Sequence, residues 1–204
     1  MLRLDHLAIS ASNLADGVAA VEAALGVTLA PGGQHPLMAT HNRLLGLGDI
    51  YLEVIAIDAD APAPAHPRWF DLDHFAGRPR LTNWIAACDD LEAALAVLPT
   101  GVGEPEQLAR GDLRWRMAVP EDGHLPFDGA CPALIEWQGS AHPAQRLPES
   151  GVRLDWLEIA TPDAAALNQM LSGLFDDSRV RIVSGAAKTM RAQFSTPNGP
   201  RVIA

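Results

Sequence analysis

Three residues interrupt otherwise apolar strands: His6, Glu53 and Glu136. His6 stands in Leu4-Asp5-His6-Leu7-Ala8-Ile9, Glu53 in Tyr51-Leu52-Glu53-Val54-Ile55, and Glu136 in Leu134-Ile135-Glu136-Trp137. Strand side chains alternate between faces, so Leu4, His6 and Ala8 share one face, and Asp5, Leu7 and Ile9 the other. Leu52 and Val54 likewise oppose Glu53, and Trp137 should face away from Glu136 toward a helix. The apolar faces then pack on helices, while imidazole and carboxylates point into whatever the sheet encloses. A lone buried carboxylate is costly, and two together repel unless a cation lies between them or one takes a proton. A divalent cation held by His6, Glu53 and Glu136 satisfies all three. Taken singly, the same residues are a hydrogen-bonded strand histidine and two solvated acids.

The elements that must position them recur along the chain. Leu2 to Ser10 reads as a strand, and Asn13 caps a helix that Gly26 stops. Thr28 to Leu37, broken by Pro31, Gly32, Gly33 and Pro36, reads as an interrupted strand or loop. Thr40 to Leu47 and Ile50 to Ile57 are strands around a Gly48-Asp49 turn. The order returns with a strand at Leu81 to Ala87, a helix capped by Asp89-Asp90, and strands at Leu113 to Val119 and Ala133 to Gln138. A third start comes at Leu154 to Ile159, with a helix from Pro162-Asp163, strands near 180–183 and 190–195, and a possible short last strand at Val202-Ile203. The expected units are 1–60, 78–140 and a partial third over 150–204. Anchored on Asn13-Leu14 and Asp90-Leu91, His6 aligns with Asn83, and Trp156 holds that place in the third unit.

Other polar residues add detail. His41 and Arg43 share a strand face that could be the same interior. His41 would act as a general base or a further ligand, and Arg43 would grip a substrate carboxylate or phosphate. The bland alternative is a loop-end histidine beside a solvated arginine. His35 could form part of a lid, whereas His66, His74, His124 and His142 are expected at the surface. Cys88 and Cys131 fit neither a disulfide framework nor a zinc cluster.

Composition narrows the function classes. Hydrophobic residues make up 48% of 204, enough for a sizeable core, with no run long enough to span a membrane. The start lacks the pattern of a secretory signal, so a cytoplasmic protein is expected. Net charge is −10, from 25 acids and 15 bases, and no basic stripe suggests nucleic acid. A small-molecule substrate is the expected partner, and no glycine motif suggests a nucleotide cofactor.

The repeated strand–helix–three-strand order, the opening Leu-Asp-His-Leu-Ala-Ile and the run from Asn42 to Ile55 resemble the vicinal oxygen chelate superfamily, most of all its glyoxalase-like domain proteins. The resemblance covers residues 1 to about 140, the third unit less fully. It implies an α+β fold of βαβββ modules forming an open, cup-shaped mixed sheet with helices outside. It also implies metal ligands on the first and last strands of each module, at His6, Glu53, Asn83 and Glu136. Asn83 departs from the pattern, since an amide is a weak ligand for a transition metal. It is expected instead, with Arg43 and Tyr51, among the substrate-binding residues. The implied cofactor is Fe, Mn, Zn or Ni, and homodimers are common in the superfamily. The expected activity is metal-dependent lyase, isomerase or dioxygenase chemistry on vicinal oxygens, with His41 or a freed Glu136 carboxylate moving the proton. The alternative is a metal-free binding protein resembling bleomycin-resistance proteins.

Overall fold

Local signals set the first module. The computed structural model describes all 204 residues. Strand β1 (Arg3–Ser10) runs into helix α1 (Leu14–Leu25), where the Asn13 side chain accepts from the Asp16 N–H at 2.9 Å and Gly26 ends the helix at φ 71°. A Cβ on Gly17 would lie 2.7 Å from Val54 Cγ1, so only glycine lets α1 settle this closely on the sheet. Strands β2 (Ala30–His35), β3 (Thr40–Gly46) and β4 (Tyr51–Ile57) complete the module. The glycine-rich stretch is thus a strand, bulged at Gly32 and Gly33.

The second module comprises β5 (Arg80–Ala87), a five-residue helix α2 (Leu91–Leu95), β6 (Glu104–Arg110), β7 (Leu113–Val119) and β8 (Ala133–Trp137). Strand β6, too polar to show apolar alternation, went unforeseen. The two modules form one strongly curled, open sheet in the order β2-β3-β4-β1-β5-β8-β7-β6. At its centre β1 pairs antiparallel to β5 and parallel to β4. Between the modules, a 3-10 turn at Trp69–His74 carries Trp69 and Phe70 against the inner face.

The third region adds β9 (Arg153–Thr161), α3 (Ala164–Leu171), β10 (Val180–Ser184), β11 (Thr189–Thr196) and β12 (Gly199–Ile203). It builds its own four-stranded sheet, β10-β9-β11-β12, with β11 lying against β5. The core joins both sheets, from Leu7, Ile9, Leu52 and Val54 to Leu157, Ile159 and Phe194. No helix is long and apolar enough to cross a membrane.

Candidate acid–base site

One bulge changes the meaning of β1. Leu4 pairs with Ala86 and His6 with Ile85, leaving Asp5 as an extra, unpaired residue. Strict alternation would send the Asp5 carboxylate to the helix side. Instead Asp5 Oδ1 accepts from His6 Nδ1 at 2.6 Å, and Asp5 Oδ2 lies 2.9 Å from Trp137 Nε1 and 3.0 Å from His142 Nε2. On its other edge, His6 Nε2 faces Glu53 Oε2 at 3.6 Å. The imidazole is therefore held between two carboxylates, and Tyr51 stacks on its ring with centroids 4.3 Å apart.

The amide of Asn42 orders the far end of this chain. It donates to Glu53 Oε1 at 2.5 Å, while its carbonyl oxygen accepts from the Gly33 N–H at 2.8 Å and from Arg110 at 3.2 Å. A Cβ on Gly32 would meet the Asn42 carbonyl oxygen at 2.2 Å, so the bulged glycines are what let β2 close over Asn42. His35 Nε2 lies 3.4 Å from the Asn42 amide nitrogen and 3.5 Å from Arg110. Both neighbours are donors, so Nε2 is the acceptor and Nδ1–H points to Thr40 Oγ1 at 3.0 Å.

The electrostatics follow from these contacts. Burial alone would push His6 down, but its bonds to Asp5 and Glu53 hold it up at about 9. Burial would raise Glu53, yet His6 and Asn42 bring it down to about 2. Asp5 lies far below the usual carboxylate range, where His142 and His6 outweigh its burial. His35 goes the other way: burial lowers it to about 4, so it is neutral at pH 7. The cavity beside these groups holds only about 30 Å³ and is walled by Trp69, Trp115, Trp137 and Phe70. The Trp69 indole N–H is buried without a partner.

Several expected residues stand elsewhere. Glu136 is on the opposite face of β8, where Arg116 Nε donates to it at 2.9 Å and the Leu91 N–H approaches at 3.4 Å. Its neighbours Ile135 and Trp137 face the cup, in phase with their partners Met117 and Trp115. Matching the two glutamates put this strand one residue out of phase, and a one-residue slip inverts every side chain. His41 and Arg43 also face outward, in phase with Ala56 and Val54, while Asn42 between them points in. Asn83 is buried but lines a different, larger cavity. Asp5, His35, Asn42, Trp69, Arg110 and His142 were not foreseen at the site. The Asp5-His6 pair was a visible signal for the first of them, and the phase set by Glu53 would have selected Asn42 over its neighbours.

The residues do not fit the metal set that the superfamily implies. Glu136 is turned away and Asn83 lies in another cavity. His6 and Glu53 have no third His, Cys, Asp or Glu ligand atom within 4.8 Å of both, and both nitrogens of His6 face carboxylates. The chain's one compact set of three such ligand atoms is Asp71, His74 and His124.

Comparison with known proteins accounts for the architecture. A hypothetical protein from Staphylococcus aureus superposes with a TM-score of 0.64 at 14% identity, covering 93% of this chain and 88% of its own. Streptomyces coelicolor methylmalonyl-CoA epimerase, in complex with 2-nitronate-propionyl-CoA, gives 0.44 at 15% identity over 68% of this chain and 98% of its own. The Mycobacterium tuberculosis epimerase gives 0.44 at 15%, over 68% and 88%. No curated protein matches. A family model, Glyoxalase-like domain, matches residues 4–175. With the curled eight-stranded sheet of paired modules, that match makes this chain a member of the glyoxalase-like domain family.

Proposed function

We propose that the chain is an enzyme that moves a proton on a small, oxygen-rich anion, with His6 as the acid and Glu53 as the base. The observation that carries this reading is the buried Asp5–His6–Glu53 chain. An imidazolium and a carboxylate side by side form a matched acid and base. Glu53 would take a proton from carbon next to a carbonyl, and His6 Nε2–H would give one to the carbonyl oxygen, leaving an enediol. Return of the Glu53 proton to the neighbouring carbon, while the other enediol hydroxyl gives its proton back to His6 Nε2, completes an isomerisation. At rest the pair hold each other far from neutrality. A substrate inserted between them removes that mutual support, and burial then raises Glu53 and lowers His6 toward useful values. Asp5 fixes the tautomer, while Arg110 and the free Trp69 N–H are placed to receive substrate oxygens.

The cavity has room for about one water, so a substrate takes its place only as Trp69 and Phe70 shift. The metal-dependent chelation expected from the resemblance has no compact ligand set at His6. The second reading, binding without chemistry, is favoured by the aromatic wall of Trp69, Trp115 and Trp137.

Proton exchange separates the two. A panel of small 2-oxo and 2-hydroxy acids and aldehydes is incubated in D2O with the protein, and deuterium at the carbon next to the carbonyl is followed by NMR. The acid–base reading expects exchange with the wild type and at least a hundredfold less (order of magnitude) with Glu53→Gln. Binding without exchange establishes the second reading. Equal exchange in Glu53→Gln shows that the base lies elsewhere.

A further inference from the structure

A second chemically furnished cavity lies away from the His6 pocket. It holds about 570 Å³ between β5, the Trp69–His74 turn, the 123–129 loop and β11. Two histidines and one aspartate meet at its rim. Asp71 Oδ1 lies 2.6 Å from His74 Nδ1 and 3.3 Å from His124 Nε2, and the two imidazoles stack with centroids 5.7 Å apart. Around a transition metal with bonds of about 2.1 Å, neighbouring donors lie about 3.0–3.4 Å apart. Asp71 and His124 already stand at that separation.

The backbone supplies an independent observation. Phe70 and Asp71 have φ of 60° and 54°, and Phe127 and Asp128 have 58° and 56°. Two consecutive Phe-Asp pairs in the left-handed region are strained, and all but Phe127 line this cavity. The loops that carry the ligands are locked together. The Asp71 N–H donates to the Gly123 carbonyl at 3.1 Å, and a Cβ on Gly123 would lie 2.3 Å from the Arg68 carbonyl oxygen. The strain therefore holds Asp71 beside the residue that precedes His124.

The cavity wall is furnished for an anion. Lys188, largely buried, donates from Nζ to the Thr82 carbonyl oxygen at 2.5 Å and keeps further donors free. Arg80 and Arg191 line the same space, with Asp128 as a counter-charge. Asn83, only 3% exposed, also lines this cavity.

The geometry points to a divalent transition-metal site at Asp71, His74 and His124, its open positions facing a cavity where Lys188, Arg80 and Asn83 hold a carboxylate ligand. Two imidazoles and one carboxylate leave positions free for such a ligand, and the set suits cobalt, zinc, nickel or iron. This site is separate from the acid–base reading of His6 and does not depend on it.

Cobalt reports on it directly. The full chain is titrated with Co²⁺, followed by calorimetry and visible absorption, and malonate is then added. The expected result is one equivalent bound in the wild type and in His6→Gln, and at least tenfold weaker binding in His74→Ala/His124→Ala. Circular dichroism checks that each variant is folded, which the exposure of both histidines favours. Malonate is expected to shift the cobalt bands in the wild type and to need at least tenfold more ligand in Lys188→Met. Absence of stoichiometric binding overturns the metal site, as does binding unchanged by the double substitution. Binding lost in His6→Gln alone assigns the metal to the central pocket and overturns it equally. Cobalt bands that ignore malonate overturn the carboxylate ligand.

Discussion

The two halves of the curled sheet share an order of elements but furnish the cup with opposite chemistry. The first half sends in Asp5, His6, Asn42 and Glu53. The second sends in Trp115, Met117, Ile135 and Trp137, and turns its own glutamate out to Arg116. A repeated architecture therefore does not imply a repeated site. The first half supplies the acid and base, and the second, Arg110 apart, lowers the dielectric around them, which strengthens every interaction within.

The sharpest break is His6→Ala, which takes the cation from between two buried carboxylates and leaves Glu53 with Asn42 alone and Asp5 with Trp137 and His142. Losing one partner of a buried ion pair costs about 3–5 kcal/mol, measurable by urea unfolding. A loss below about 1 kcal/mol would mean that the first half is not a charge centre at all.

The pH dependence is next in size. His6 is raised from 6.5 to about 9, so its contribution is complete below pH 6.5 and fades as pH rises through 9. The shift corresponds to on the order of 3 kcal/mol. His35 is lowered to about 4, so its contribution is complete above pH 6.5 and fades as pH falls toward 4. Glu53 is lowered from 4.5 to about 2, so its contribution fades over that more acid range. Stability should peak near pH 6.5, and His6→Gln should flatten the alkaline limb and, because His6 also holds Glu53 down, weaken the Glu53 part of the acid limb while leaving that of His35. An alkaline limb unchanged in that variant would assign it to other groups.

Asn42→Leu should cost about 1–3 kcal/mol, since Glu53 and the Gly33 N–H each lose a buried partner. The same denaturant measurement checks it, and a neutral result would show water replacing the amide. Smallest is Glu136→Gln. It should leave the NMR titration of His6 unmoved, because Glu136 lies behind the sheet. A shift of His6 in that variant would restore the expected symmetry between the halves.

The sequence made the elements legible where their signals are local. Asn13 and Gly26 bound α1, and the Leu52–Val54 and Leu7–Ile9 pairs mark the helix-facing sides of β4 and β1. His6 and Glu53 were legible as polar interruptions of those same strands. What failed was phase. Within β3 nothing distinguishes the face of Asn42 from that of His41 and Arg43, so only its register against Glu53 on β4 does, and the bulge at Asp5 arises from pairing with β5. Glu136 was drawn into the wrong face by matching residue type instead of strand phase. The meeting of His74 with His124 was out of reach for another reason: distant loops bring them together through left-handed residues that carry no sequence signature.

The extra residue in β1 has an evolutionary consequence. Deleting one codon there would restore the strand's regular beat and swing a carboxylate from the cup to its outside, with little disturbance to the pairing beyond. Whether this sheet holds a charge relay or an inert core thus turns on chain length at a single position, so relatives with near-identical composition can differ in kind.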